Sequence, residues 1–336
     1  QPLQNRPVRG QTPDRRRNRH PGNQRPLPTR MARTDGAGGV KIGSQSRVVE
    51  KIIEPFAAFV QQKNREVPNP PEILWHYTTY DAFISIIKDQ SLRLSELGYQ
   101  NDSGEYWFFN EIVQGSLRSM QENNDEVIKS ANYLRQFFYQ AGFRGFSNVF
   151  SFSLTEKADS LSQWRAYANH GEGVALGFSV GDVPDGVYLG RCYYSEVGDK
   201  EFDDVFRSVV INLSNSFKHN DGNHNLSMAG LVASALIKII SEASPYVKHK
   251  GFAEECEWRV TSYGGEDKAE YDFFAKNYGM VMAKKIKFSA GLSLKKVMIG
   301  PSPFMLRNKF TVSAFLKQKN LNVEVLSSEI SYRKQA

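Results

Sequence analysis

Glu255, Glu257 and Arg259 stand two residues apart in Glu254-Glu255-Cys256-Glu257-Trp258-Arg259. In strand sequence this spacing puts all three on one face, with the carboxylates about 7 Å apart. Two like charges so close raise each other's proton affinity unless a cation stands between them, and Arg259 is placed to be that cation. A strand-borne carboxylate can accept from a ribose 2′-hydroxyl and stabilise positive charge growing at an anomeric carbon, the electrostatic task of glycoside cleavage. The same residues also read as a structural Glu–Arg pair, with Trp258 turned to the core on the other face.

Three more short segments mix tryptophan with polar groups: Leu74-Trp75-His76-Tyr77-Thr78-Thr79, Asn101 to Trp107, and Phe150-Ser151-Phe152-Ser153 followed by Ser162 to Tyr167. A packed core needs no such mixture, whereas a cleft that orients a polar ligand does, so the four segments should converge. His76 can orient a ribose hydroxyl or a carbonyl, with Tyr77 and Thr78 adding hydroxyls, or it can be a satisfied core histidine. Ser151 and Ser153 share a strand face. Neither follows the sharp elbow a serine nucleophile requires, so they read as cleft-wall donors or as plain solvent-side alternation. Asn101-Asp102-Ser103-Gly104-Glu105 reads as a turn opening a helix, and His170-Gly171-Glu172-Gly173 as a tight turn lacking a phosphate loop's lysine. No histidine or cysteine spacing completes a metal shell, and no metal is expected.

Elements must carry these groups. Apolar spacing predicts a helix over Arg47 to Gln62, a strand at Ile73 to Tyr77, a short helix capped by Thr79 or Asp81, and a strand at Leu92 to Leu94. Helix follows to about Ala141, then a strand at Val149 to Ser153. A capping box of Ser160 and Gln163 opens a helix through Tyr167. A strand at Val174 to Phe178, helix over 202–247, strands at Glu257 to Tyr263, Lys285 to Phe288 and Val297 to Pro301, a helix at Met305 to Lys317 and a strand at Val323 to Val325 complete the order. The expected fold is α+β, one domain over 40–336, with a mixed, mostly antiparallel split sheet flanked by helices.

The chain has 336 residues and a net charge of +7, but residues 1–39 hold nine Arg and two Asp and account for all of it. The remainder carries 34 basic and 34 acidic side chains, so its charge is no argument for nucleic acid. That basic, Pro- and Gly-rich segment has no apolar periodicity and is expected to be a disordered tail, with Met31 reading as an initiation site and residues 1–30 as upstream translation. Two cysteines, Cys192 and Cys256, exclude a disulfide framework and fit a reducing cytoplasm. No apolar run approaches the about 20 residues of a membrane span, so no membrane partner is expected.

Taken in order, His76-Tyr77-Thr78, Asn101-Asp102 with Glu105, Phe150-Ser151-Phe152-Ser153, Trp164 with Tyr167, Gly173-Val174-Ala175-Leu176-Gly177-Phe178, Tyr193-Tyr194, Glu255 with Glu257-Trp258-Arg259, and Ile299-Gly300 resemble the bacterial family catalogued as domain of unknown function 2971, over about Glu72 to Gly300. A more distant resemblance is to ADP-ribosyltransferases, whose site places His or Arg on one strand, a second motif on another and Glu on a third. That resemblance implies an ADP-ribosyltransferase-like fold and NAD as substrate. It implies His76, Glu257 and Glu255 as catalytic residues, and His76, Tyr77, Thr78, Ser151, Ser153, Tyr167 and Arg259 as NAD-binding residues, Tyr167 stacking on nicotinamide. The sequence departs from the pattern in offering neither a tyrosine for a His-Tyr-Glu site nor the arginine of an Arg-Ser-Glu site. The implied activity is modification of a protein or nucleic acid, in phage defence or bacterial conflict; the alternative is a noncatalytic module binding a nucleotide or nucleic acid.

Overall fold

The computed structural model describes residues 44–99, 105–120, 124–141, 149–181, 183–217, 222–264, 271–276, 279–288 and 291–331. The expected tail and the Asn101 to Gly104 turn lie outside the described residues, as do the side chains of Glu105 and Trp107.

The helices are α1 (Ser44–Glu66), α2 (Tyr80–Asp89), α3 (Glu105–Ser119), α4 (Asp125–Ala141), α5 (Leu161–Tyr167), α6 (Lys200–Phe217), α7 (Gly222–Ala243) and α8 (Met305–Gln318). The strands are β1 (Ile73–Thr78), β2 (Ser91–Glu96), β3 (Val149–Thr155), β4 (Val174–Val180), β5 (Val187–Arg191), β6 (Tyr193–Ser195), β7 (Val247–His249), β8 (Glu257–Tyr263), β9 (Asp272–Lys276), β10 (Gly279–Lys287), β11 (Leu292–Ile299) and β12 (Glu324–Ser327). All strands but β6 and β7 join one mixed sheet, antiparallel except where β12 runs parallel to β11. The class is α+β, as expected. Alternation did not expose β5, β7 or β9, and Val247 belongs to β7 rather than to a continuing helix.

The sheet splits at β3. One edge of β3 pairs with β8 along its whole length, Val149 with Tyr263 through Thr155 with Glu257. Its other edge meets β2 at Phe150 and Ser151 and β1 only at Thr155, opposite Trp75. The two neighbours therefore diverge between Ser151 and Thr155.

Alternation sorts the side chains of these strands. Phe150, Phe152 and Leu154 of β3 join Trp258 and Val260 of β8 in an apolar core completed by α2 and α8. Ser151, Ser153 and Thr155 turn the other way, matched across the ladder by Thr261, Arg259 and Glu257. A second core unites α1, α3, α4, α6, α7 and Val247. Between the two cores lies a polar layer, in which the Tyr246 and Thr261 hydroxyls meet at 2.5 Å and Arg259 Nη1 donates to Pro245 O at 2.7 Å.

Helix α7 corrects one expectation. Asn225–Tyr246 is long and apolar enough, by length and composition, to cross a membrane. Lys238 and the serines interrupt the run without outweighing its Leu, Ile, Val and Ala residues. Val232, Leu236 and Ile240 are packed in the helical core, the ordinary fate of so apolar a helix. Elsewhere, Thr79 caps α2 by accepting from Ala82 N at 3.3 Å. Ser160 occupies the cap position of α5 but makes no side-chain cap bond, its hydroxyl pairing instead with that of Ser162, so the expected capping box does not form.

Candidate functional site: a polar cavity at the split of the sheet

A cavity of about 460 Å³ opens where β1 and β3 part. Its floor is Ser153, Leu154 and Thr155 of β3 with Glu257 and Arg259 of β8; β1 supplies Trp75, His76 and Tyr77; α5 supplies Gln163, Ala166 and Tyr167; Lys248, Phe252 and Glu255 close the far side.

Each wall has a local cause. Trp164 of α5 is fully buried, stands edge-on to Tyr77 with ring centroids 4.6 Å apart, and donates from Nε1 to Asp159 at 2.6 Å. With Trp164 so fixed, Gln163, Ala166 and Tyr167, spaced three and four apart, face the cavity together. Tyr77 donates to Lys157 O and accepts from Ser160 N, both at 3.0 Å, clamping the loop between β3 and α5. Asn169, His170 and Gly171 then take left-handed backbone, and a Cβ on Gly173 would stand 2.3 Å from Thr78 O. His170 to Gly173 is thus the tight turn its sequence suggested.

The two carboxylates arrive by different routes. Glu257 is the first residue of β8. Glu255 ends a 3-10 turn, Lys250–Glu255, and Cys256 after it is left-handed with φ 45°. The expectation that both share a strand face is corrected: the turn, not alternation, brings Glu255 to Glu257. Thr155 holds that turn by donating to Glu255 O at 2.6 Å.

Lys248 of β7 joins them. Its Nζ lies 2.5 Å from Glu255 Oε2 and 2.9 Å from Glu257 Oε2. Arg259 donates from Nε to Glu257 Oε1 at 2.7 Å and from Nη2 to Oε2 at 3.1 Å. Tyr167 donates to Glu255 Oε1 at 2.9 Å. Glu257, Lys248 and Arg259 are all buried. Burial pushes the Glu257 carboxyl up, but Arg259 and Lys248 outweigh it and hold the group anionic well below the usual carboxylate range. Burial and the Glu255 charge push the Tyr167 phenol up, so it remains a donor.

His76 plays a different part. Trp75 pairs with Thr155, which pairs with Glu257, so alternation places His76 on the opposite face from Glu257. Its ring packs on Phe152, centroids 4.2 Å apart, and fills the gap between the diverging strands. Nδ1 lies 3.0 Å from Ser153 O. A carbonyl only accepts, so Nδ1 carries the proton and Nε2 keeps its lone pair. Burial lowers the imidazole's pKa to about 4 and keeps it neutral.

Of the residues expected in the site, His76, Tyr77, Ser153, Tyr167, Glu255, Glu257 and Arg259 line the cavity. Thr78 and Ser151 do not: Thr78 is buried beside Gly173, and Ser151 lies one register step deeper, between Ser95 and Thr261. Of the four tryptophan segments, three converge; the fourth lies largely outside the described residues. Sequence reasoning missed Lys248, Phe252 and Gln163. The signal for Lys248 was slight, three strand residues between a long helix and a glycine turn.

Among the described residues no group of three or more His, Cys, Asp or Glu could hold a metal ion. The family model described as "Protein of unknown function (DUF2971)" matches residues 163–260. This bears out the family resemblance over a narrower span than Glu72 to Gly300. The matched segment runs from α5 to β8 and carries Gln163, Tyr167, Lys248, Phe252, Glu255, Glu257 and Arg259 of the cavity. Comparison with curated proteins and with solved structures gives no match.

Proposed function

We propose that the cavity binds NAD and that the chain transfers its ADP-ribose to a protein or nucleic acid. The observation that carries this reading is the convergence of two carboxylates from separate local structures on one aromatic-walled cavity, each oriented by a fixed cation or phenol. Its volume of about 460 Å³ lies in the range of small-molecule sites, about 300–1,000 Å³. In the reaction the bond between the anomeric carbon and the nicotinamide nitrogen breaks, its electron pair leaves with nicotinamide, and a nucleophile of the acceptor forms the new bond and releases its proton to solvent. Glu257 stabilises the oxocarbenium charge between the two steps, with Glu255 beside it. Tyr167 and Trp75 offer apolar faces to the leaving ring. Neutral His76 is a wall residue here, its Nε2 an acceptor for a ligand hydroxyl.

One observation favours a second reading, a noncatalytic nucleotide-binding module. Both Glu257 oxygens are already engaged by Arg259 and Lys248, which suits a fixed scaffold as well as a catalyst.

Nicotinamide release from NAD, measured with the unfolding midpoint on the same protein, tests the choice. Glu257→Gln keeps shape and removes charge, and turnover should fall on the order of 10²-fold while NAD binding changes little. A folded variant with unchanged turnover removes Glu257 from the mechanism. A thermal shift with NAD but no nicotinamide release by the native chain favours the binding module.

A further inference from the structure

Beyond the tail, basic and acidic residues balance, yet they are not evenly placed. From Phe273 to Val323 the chain has ten basic residues and no Asp or Glu. Helix α8 lies in this stretch, and Arg307, Lys309, Lys317 and Lys319 on or beside it face no carboxylate among the described residues. Some lysines elsewhere do, Lys63 with Glu201, Lys250 with Glu196 and Lys296 with Glu324, while others such as Lys129 and Lys238 do not among the described residues. The same helix and its N-cap Phe304 expose large apolar side chains, Phe304 at 66%, Leu306 at 78% and Phe310 at 77%. Its opposite side, Val312 and Leu316, is packed on the sheet, so the exposure belongs to one outer face.

The pattern on that face selects the partner. Counted at 3.6 residues per turn, Leu306, Phe310 and Lys317 fall within about 40° of one another, and Arg307 flanks them. Apolar and cationic groups share this one face instead of separating into two stripes. A lipid surface would have to bury Lys317 with Phe310, and a second copy would set unpaired cations against unpaired cations. A single strand of nucleic acid offers what the line asks for, bases to stack on Phe304 and Phe310 and phosphates for the cations between them. We propose that the outer face of α8 with Phe304 binds single-stranded nucleic acid. As a binding surface this stands apart from the cavity; as the dock for an acceptor it rests on the transfer reading and makes that acceptor nucleic acid.

The test is fluorescence anisotropy of a labelled single-stranded oligonucleotide with the full chain, without NAD, over a series of salt concentrations. Removal of both rings, Phe304→Ala with Phe310→Ala, should weaken binding about tenfold or more and leave the salt slope unchanged. Arg307→Gln with Lys317→Gln should flatten that slope by about one unit or more. If both double variants bind like the native chain, the arginines of residues 1–39 carry the binding and the proposal falls. It falls equally if the ring substitutions abolish binding to phosphatidylserine vesicles, or a concentration-dependent dimer, while oligonucleotide affinity is unchanged. Since the measurement omits NAD, a failed transfer reading would leave its result intact.

Discussion

The cavity and the outer face of α8 treat charge in opposite ways. In the cavity Lys248 and Arg259 both meet carboxylates within 3.1 Å, and the four charges cancel. On and beside α8, four cations face none among the described residues. An uncompensated charge in a dry interior costs several kcal/mol, so any buried cation had to arrive with its counter-charge. At the surface water screens the charge, pairing is worth little, and a bias in sign is free to reflect what the surface meets. On the readings proposed, the interior site would select by shape and hydrogen bonds, and the outer face by charge and stacking.

The sharpest way to break this contrast is to remove one cation from the interior. Arg259→Met leaves Glu257 buried with Lys248 alone and strands Pro245 O. A loss of about 3–5 kcal/mol in urea unfolding is expected, the usual cost of breaking a buried pair. The double variant Glu257→Gln with Arg259→Met should regain part of that loss, since no uncompensated charge remains. A single variant as stable as the native chain would mean that the cavity is wet enough to screen its charges.

A pH series sharpens the same point, because His76 and Glu257 lose stability in different windows. The folded imidazole titrates near about 4 rather than 6.5, so between those values the unfolded chain binds a proton that the folded chain refuses. Stability should therefore fall as pH drops from 6.5 towards about 4. Glu257, whose folded pKa is depressed to about 2, contributes stability that is complete above its unfolded value of 4.5 and is lost as pH falls from there towards about 2. His76→Gln should flatten the upper window and leave the lower one in place. An unchanged profile would show that His76 protonates as readily folded as unfolded, and its neutral role at the split would be lost.

What the sequence disclosed follows from range. Period-two alternation is local, so β3 and β8 and their polar faces were legible, and Ser153, Glu257 and Arg259 followed directly. Pairing across the sheet is not local. That β1 would part from β3 and swing His76 to the far face, while leaving its ring in the gap, depends on a register set 77 residues away. Lys248 was hidden for a related reason: β7 is three residues long, pairs among the described residues with β6 alone, and sits at the end of a strongly apolar helix that masks its period. Glu255 was placed in the site for the wrong reason, since a left-handed Cys256 is not readable from a residue type that seldom takes that conformation.

The smallest effect is expected where the contrast is most exposed. Arg307→Gln with Lys317→Gln removes two cations that face no carboxylate among the described residues. No buried partner is stranded and no packed surface is opened, so the unfolding free energy should change by no more than about 0.5 kcal/mol. The sign is expected to be stabilising if anything, because like charges one to three turns apart on a helix repel. Urea unfolding at low and at high salt checks this, since relief of repulsion should fade as salt screens it. A loss of about 2 kcal/mol or more would instead show these cations already paired within the chain. The surface would then resemble the cavity, and its bias in charge would say nothing about a partner.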